Sequence, residues 1–396
     1  MLKQIEISNY KSLAHVILDF EKENVVVGPN GVGKSNLLDA IHFVRDAARD
    51  GLDHAVTKRH GINSIRRWSK TRPYNVSIRL KFNRGEVGGE YKITIASAGG
   101  EFSVVEEELH WYGSSPFGTN KSKEIFPPVS SIKRQGKNLE ISLPENPFGA
   151  IPDPSISEGD AMITQFAEGI FSPLAFFFRD LHESIVSCGA YSIHPNKIRE
   201  PQPISNSNVL ADDGSNLASV IRQMRATSHR HRRENLTLSV RQVLSILNEI
   251  KIDSAGGFYV PVFRVREIDS GYSHELNMSQ LSDGTLRMLG MLTAFYQAHA
   301  PARITLEEPE QMIHPGLLPI LVDAAKDYLD DDINHQVFFT THSPNLLDMF
   351  KPESIISASF EDGVSKFRHM SERQIKIVKD KLFSPGELLV TEGFYQ

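Results

Sequence analysis

The stretch GPNGVGKS, residues 28–35, constrains this chain more than any other feature. It follows the apolar run Val25, Val26 and Val27 and precedes residues 37–48, where Leu37, Leu38, Ile41, Val44 and Ala48 recur at helical spacing. A strand, a glycine-rich turn and a helix in that order fit the phosphate-loop pattern GxxxxGK[ST], with Gly28, Gly33, Lys34 and Ser35 at the fixed positions. Glycines let backbone amides curl around anionic oxygens, and a helix start adds unpaired N–H groups and the positive dipole end. Lys34 has the reach for β- and γ-phosphates, and the Ser35 hydroxyl is a ligand for Mg²⁺. Asn30, Gly31, Gly33, Lys34, Ser35 and Asn36 are therefore the candidate nucleotide-binding residues of the loop. A tight turn without a ligand is the weaker reading.

Around this loop the hydrophobic pattern predicts an α/β fold. Leu2, Ile5 and Ile7, then Val16, Leu18 and Phe20, predict two short strands. Tyr74, Val76, Ile78, Leu80 and Phe82 alternate with polar residues, as do Tyr91, Ile93 and Ile95 and then residues 139–143. Connections too short for helical crossovers predict antiparallel pairing there. Residues 144–160 are rich in proline and glycine and form the best internal boundary, and residues 160–187 and 215–250 read as mostly helical. Strands and helices then alternate from about 257. The expected organisation is an N-terminal core part over 1–143, a mostly helical insertion over 144–250 and a C-terminal core part over 251–396.

Three later stretches add chemistry. Leu306, Glu307, Glu308 and Pro309 follow Ile304 and Thr305 at an expected strand end. Two adjacent carboxylates there suit a metal ligand and a base that polarises water. Alone, an acidic strand-to-loop junction is the better reading. Residues 337–341 predict a buried strand that ends in His342, with Ser343 and Pro344 suited to the N-cap and first turn of a short helix. His342 would then stand at the sheet edge, where a histidine is ordinarily a capping residue but is also placed to contact a γ-phosphate. Residues 281–287, LSDGTLR, predict a helix capped by Ser282.

Composition removes some function classes. The net charge of −6 excludes a broadly basic nucleic-acid binder, so any such contact needs a local patch. Residues 58–72 carry six basic side chains and no acid, and the segment 214–233, also acid-free, carries Arg222, Arg225, Arg230, Arg232 and Arg233. Such runs are more often solvated or docking faces than phosphate tracks. Cys188 is the only cysteine, which excludes a disulfide framework within the chain. With no apolar run of membrane length and no signal-peptide core, a cytoplasmic protein without a membrane partner is expected.

The order of phosphate loop, 281–287, Glu-Glu and His resembles ABC-type ATPases of the SMC/RecF/OLD branch. LSDGTLR is similar to their LSGGQ-type signature, keeping Ser282 and Gly284, while Asp283 and Thr285 replace a glycine and a glutamine. Asn9, Tyr10, Lys11 and Ser12 look like the N-terminal element of that branch, in which a basic residue approaches the nucleotide. LEEPEQMIHP and TTHSPNLLDMF resemble the acidic and switch-histidine motifs of OLD-type ATPases. The likeness covers residues 1–50 and 270–350, and residues 57–75 hold no glutamine for the family's Q-loop.

The resemblance implies a P-loop fold with an antiparallel β subdomain, and ATP and Mg²⁺ as cofactors. It implies nucleotide contacts from Lys11, Lys34 and Ser35, metal ligation by Ser35 and Glu307, a water-activating Glu308 and a γ-phosphate contact from His342. Ser282 and Gly284 would act in trans within an ATP-dependent homodimer, or in a higher oligomer built on it. The function implied is a switch acting on a separate effector, for instance a nuclease, in phage defence or DNA maintenance. A RecF-type repair ATPase bound to DNA, with RNA as another such partner, is the first alternative. The wide separation of Lys34 and Ser282 counts against a transporter subunit, and the Glu-Glu pair counts against a non-catalytic scaffold. Residues 388–393 read as a closing strand or tail rather than the start of a TOPRIM nuclease, so no intrinsic nuclease is expected.

Overall fold

The computed structural model describes residues 1–70, 73–84, 87–112, 130–142, 159–164, 173–266 and 271–391. Alternating residues of the N-terminal third build one antiparallel sheet there. Its seven strands run in the order Leu13–Asp19, Leu2–Tyr10, Val76–Arg84, Val87–Ala98, Glu101–Tyr112, Ser130–Gln135 and Asn138–Ser142. Every neighbouring pair is antiparallel, as the short connections predict. Register sets Ile7 opposite Ile78, Ile78 opposite Ile93 and Leu80 opposite Tyr91, so one face is a continuous apolar layer. The helix Lys34–Asp50 buries Leu37, Leu38, Ile41, Val44 and Ala48, the stripe read from their spacing. These elements belong to a first unit made of Met1–Glu21, Gly28–Cys188 and Ile356–His369.

The second unit comprises Lys22–Val27, Gly189–Ile355 and Met370–Gln396. Here Glu23–Val27, Gln336–Thr341 and Arg303–Glu307 are parallel neighbours in that order, with Cys188–Tyr191 beyond. Strands buried on both faces read as unbroken apolar runs, which is why Val25–Val27 and Val337–Phe339 do not alternate. They share a core with the helices Asp283–Tyr296 and Leu318–Asp331 through Ile304, Leu306, Val337, Phe339, Leu289 and Leu321. Val27 lies opposite Thr341 and Glu307 opposite Thr340, so the carboxyl ends of the three strands come level. That edge is where parallel α/β sheets bind ligands. A second, antiparallel sheet joins Gln202–Pro203, Phe258–Arg266, Leu247–Ala255 and Ser273–Asn277.

The stretch expected as an insertion gains detail, and one expectation changes. Residues 144–250 contain the helices Pro173–Val186, Pro195–Arg199, Leu217–Gln223 and Arg230–Val243, but also strands at Cys188–Tyr191 and Gln202–Pro203. A boundary at 250 falls inside the strand Leu247–Ala255, while most of the 144–160 boundary lies outside the described residues. Where a closing strand or tail is expected from residue 388, the described residues form the helix Pro385–Thr391. Ser384 and Glu387 bind each other's backbone amides, and Pro385 opens the first turn, so a capping box overrides the apolar run Leu388, Leu389 and Val390. Glu392 lies outside the described residues.

Candidate nucleotide site

The loop after Val27 is shaped by three glycines in the first unit. Gly33, at φ 102°, opens the Lys34–Asp50 helix in a left-handed conformation. A Cβ there would stand 2.2 Å from Ser365 Oγ and 2.9 Å from Ser12 Oγ, so only glycine fits. Gly28 is as tightly placed, its hypothetical Cβ 2.3 Å from the Ala358 carbonyl oxygen. Gly31, at φ 79°, faces open space among the described residues, and Asn30 and Ser35 are exposed. Lys34 is buried and donates to the carbonyls of Gly28 (2.7 Å) and Pro29 (2.9 Å), which folds its ammonium back over the loop. Asn36 donates to Ser12 Oγ at 2.8 Å, and Ser12 and Ser365 hydroxyls meet at 2.6 Å.

Lys11 does not stand alone. Its ammonium pairs with Asp39 Oδ2 at 2.6 Å, and Asp39 also accepts from Arg59 Nε (2.8 Å) and the Tyr10 hydroxyl (2.6 Å). Burial opposes the charge on Asp39, but Arg59 and Lys11 outweigh it and hold the carboxyl below its ordinary range. Asp39 and Arg59 thus belong to the surroundings of the loop although no motif marks them.

The acidic motif lies in the second unit. Glu308 takes φ 42°, rare for a side chain with a Cβ. Three contacts enforce it: its amide donates to Thr340 O (3.0 Å) and Thr340 Oγ1 (3.2 Å), and its carbonyl accepts from Arg287 Nη2 (3.2 Å). The Glu308 carboxylate accepts from Gln311 and lies 3.7 Å from His342 Nδ1. Glu307 ends the neighbouring strand, opposite Thr340. His342 projects half-exposed, and Ser343 caps the helix Pro344–Leu347 as the sequence predicts. Glu310, unassigned in the sequence reading although inside LEEPEQMIHP, accepts from Thr341 Oγ1 at 2.6 Å.

Ser282 caps the helix Asp283–Tyr296 by accepting from the Thr285 amide at 3.2 Å and is exposed. Gly284 has a structural reason of its own, since a Cβ would come within 2.8 Å of the Met312 carbonyl oxygen. Arg287, one turn on, ties the same helix to the acidic loop. Together these place Glu307, Glu308 and His342 at one strand edge of the second unit, and Lys11, Lys34, Ser35 and Asn36 on the loop side in the first.

Two family models match the chain: "RecF/RecN/SMC N terminal domain" over residues 1–52 and "AAA domain, putative AbiEii toxin, Type IV TA system" over residues 174–348. The DNA replication and repair protein RecF of Bacteroides fragilis is 53% identical over 45 residues, which are 11% of this chain and 12% of that protein. The chromosome partition protein Smc of Methanocaldococcus jannaschii is 52% identical over 44 residues, 11% of this chain and 4% of that one. The chain thus matches only a small part of the length of these relatives. In fold, it is similar to the SmcHead in the crystal structure of the SmcHead bound to the C-winged helix domain of ScpA. That likeness has a TM-score of 0.50 and 14% identity, and it covers 94% of this chain and 98% of the other. A glycine-shaped phosphate loop, carboxylates at the ends of parallel strands and these matches make the chain similar to SMC/RecF-type ABC ATPases.

Proposed function

We propose that this chain hydrolyses ATP with Mg²⁺ and that its nucleotide state switches a separate effector protein, in phage defence or DNA maintenance. One observation carries the reading. Glu308 and His342 face each other at 3.7 Å on the strand edge where Thr341 lies level with Val27, the residue from which the chain enters the phosphate loop. The donor set suits a nucleotide: the space at Gly31 is open, and the hydroxyl of Ser35 belongs to an exposed residue at the helix start.

In this reading Lys34, Asn36 and the amides around Asn30, Gly31 and Gly33 hold the phosphates, and Lys34 exchanges the Gly28 and Pro29 carbonyls for them. Ser35 and Glu307 hold Mg²⁺, which when bound offsets phosphate charge. Glu308 accepts the proton of the attacking water, and its strained backbone keeps the carboxylate at the edge. His342 contacts the γ-phosphate. Lys11 reaches nucleotide by exchanging Asp39 for it. Exposed Ser282, with Gly284, completes the site of a second copy in an ATP-dependent homodimer, from which a higher oligomer can be built.

Phosphate release tests the reading. Wild type is expected to turn over ATP, and Glu308→Gln to bind ATP but release phosphate about 10²–10⁴-fold more slowly. Wild-type turnover by Glu308→Gln would remove the assignment. In the same assay, Lys34→Ala mixed with Ser282→Arg leaves one intact composite site, so partial recovery is expected. Mixed dimers without recovery would exclude action in trans.

A second reading, a nucleic-acid-binding ATPase of RecF type, has one specific support. Trp68 is 80% exposed in a stretch that includes Arg66, Arg67 and Lys70, a stacking surface among cations. Trp68→Ala should weaken single-stranded DNA or RNA binding about tenfold, and unchanged binding would remove this support.

A further inference from the structure

Thr341 and His342 are fastened to a single carboxylate oxygen, and Ser343 is tied to it through Thr341. Glu310 Oε1 accepts from the Thr341 hydroxyl at 2.6 Å and from the His342 amide at 3.2 Å, and the Thr341 hydroxyl oxygen in turn accepts from the Ser343 amide at 2.9 Å. The same Oε1 lies 3.8 Å from His342 Nδ1, and Glu308 Oε1 approaches that nitrogen at 3.7 Å. The imidazole is therefore flanked by two carboxylates from one loop, while its own side chain remains 47% exposed.

A purely structural latch would use a group whose polar atoms are all satisfied. Glu310 does not: among the described residues its Oε2 is buried without a hydrogen-bond partner, as is Arg287 Nε on the neighbouring helix. An unsatisfied buried polar atom costs roughly 1–3 kcal/mol. The cost falls on a loop that already holds Glu308 at φ 42° and Met312 at φ 62°. Such departures concentrate where a side chain must be aimed. From this we infer that Glu310 is the positioning residue of His342: through Thr341 and the His342 amide it fixes the turn that points the imidazole at the Glu308 carboxylate. The inference rests on the proposed hydrolysis for its kinetic consequence, but its structural half stands without it.

The experiment separates the two. Amide hydrogen exchange needs no nucleotide, and in Glu310→Ala the His342 and Ser343 amides should exchange at least tenfold faster, with helix Lys34–Asp50 unchanged. In phosphate release, Glu310→Ala and His342→Ala should each lower kcat about 10–100-fold and leave ATP affinity within twofold. The double variant should be no slower than the slower single one, because both remove one function. Glu310→Gln keeps an acceptor oxygen for Thr341 and His342 and should stay within about threefold of wild type. Independent, multiplying losses, a wild-type kcat in Glu310→Ala, or unchanged exchange at His342 would each overturn the inference. Absence of hydrolysis by wild type would instead overturn the proposed function, and the exchange result would still decide whether Glu310 holds the turn.

Discussion

Lys34 and Glu308 are held in place by different means. Around Lys34 the constraint is shape: Gly33 and Gly28 admit no side chain, and the ammonium is held by backbone carbonyls of its own loop. Around Glu308 the constraint is a web of side-chain contacts, with Thr340, Arg287, Gln311 and His342 each touching it and Glu310 securing the histidine. Shape is intolerant of any added atom, whereas a web degrades one contact at a time. The loop side should therefore fail through folding and the acidic side through turnover.

Gly33→Ala should break the contrast most visibly. Left-handed backbone costs alanine roughly 1–2 kcal/mol. Overlap with the Ser365 hydroxyl at 2.2 Å adds to this, for a total of about 3 kcal/mol or more. Urea unfolding of Gly33→Ala beside Glu308→Gln measures the difference, since the latter should stay within about 0.5 kcal/mol of wild type. Equal losses would show that both sides are built alike.

A pH dependence comes next in size. His42, on the helix that follows the loop, is buried, and burial together with the Arg45 charge lowers its pKa to about 3. The unfolded chain takes up this proton near pH 6.5 while the folded chain stays neutral until about 3, so stability falls as pH drops through that window. The slope from this group is about 1.4 kcal/mol per pH unit. Asp46 adds a loss only at lower pH. Burial resists its ionisation, but Arg45, Lys58 and Arg59 outweigh this and hold it at about 2, below its unfolded 3.8. In unfolding measurements from pH 7 to 4, His42→Gln should flatten the profile. An unchanged slope would place the acid sensitivity elsewhere.

Much of the loop side was legible because glycine, lysine and serine at fixed spacing have few other uses. The helix face from Leu37 to Ala48 and the caps Ser282 and Ser343 were legible for the same local reason. What sequence could not assign is who accepts a charge. Lys11 and Arg59 go to Asp39, and Lys58 and Arg59 to Asp46. In the 214–233 run, Arg222 stacks on Tyr259, Arg232 pairs with Asp331, and Arg225 and Arg233 donate to the Ile252 and Ile250 carbonyls of an adjacent strand. A run that looks like a phosphate track is here largely engaged in holding a sheet. Glu310 escaped notice because its partners, Thr341 and His342, are close only after the strands pair in parallel.

The smallest effect gives the finest test of the contrast. Gly31 shares the positive φ of Gly33, at 79° against 102°, but among the described residues no atom lies within 4 Å of a Cβ placed on it. Alanine at 31 therefore meets only the backbone term, about 1 kcal/mol, partly offset because alanine also restricts the unfolded chain. If shape is what fixes this loop, Gly31→Ala should fold almost normally while Gly33→Ala does not, although both break the same pattern of glycines. Its added methyl would still stand in the open space assigned to the phosphates, so ATP affinity should fall several-fold with little change in unfolding midpoint. A Gly31→Ala protein as unstable as Gly33→Ala would mean that backbone conformation alone, and not contact with Ser12 and Ser365, sets the loop.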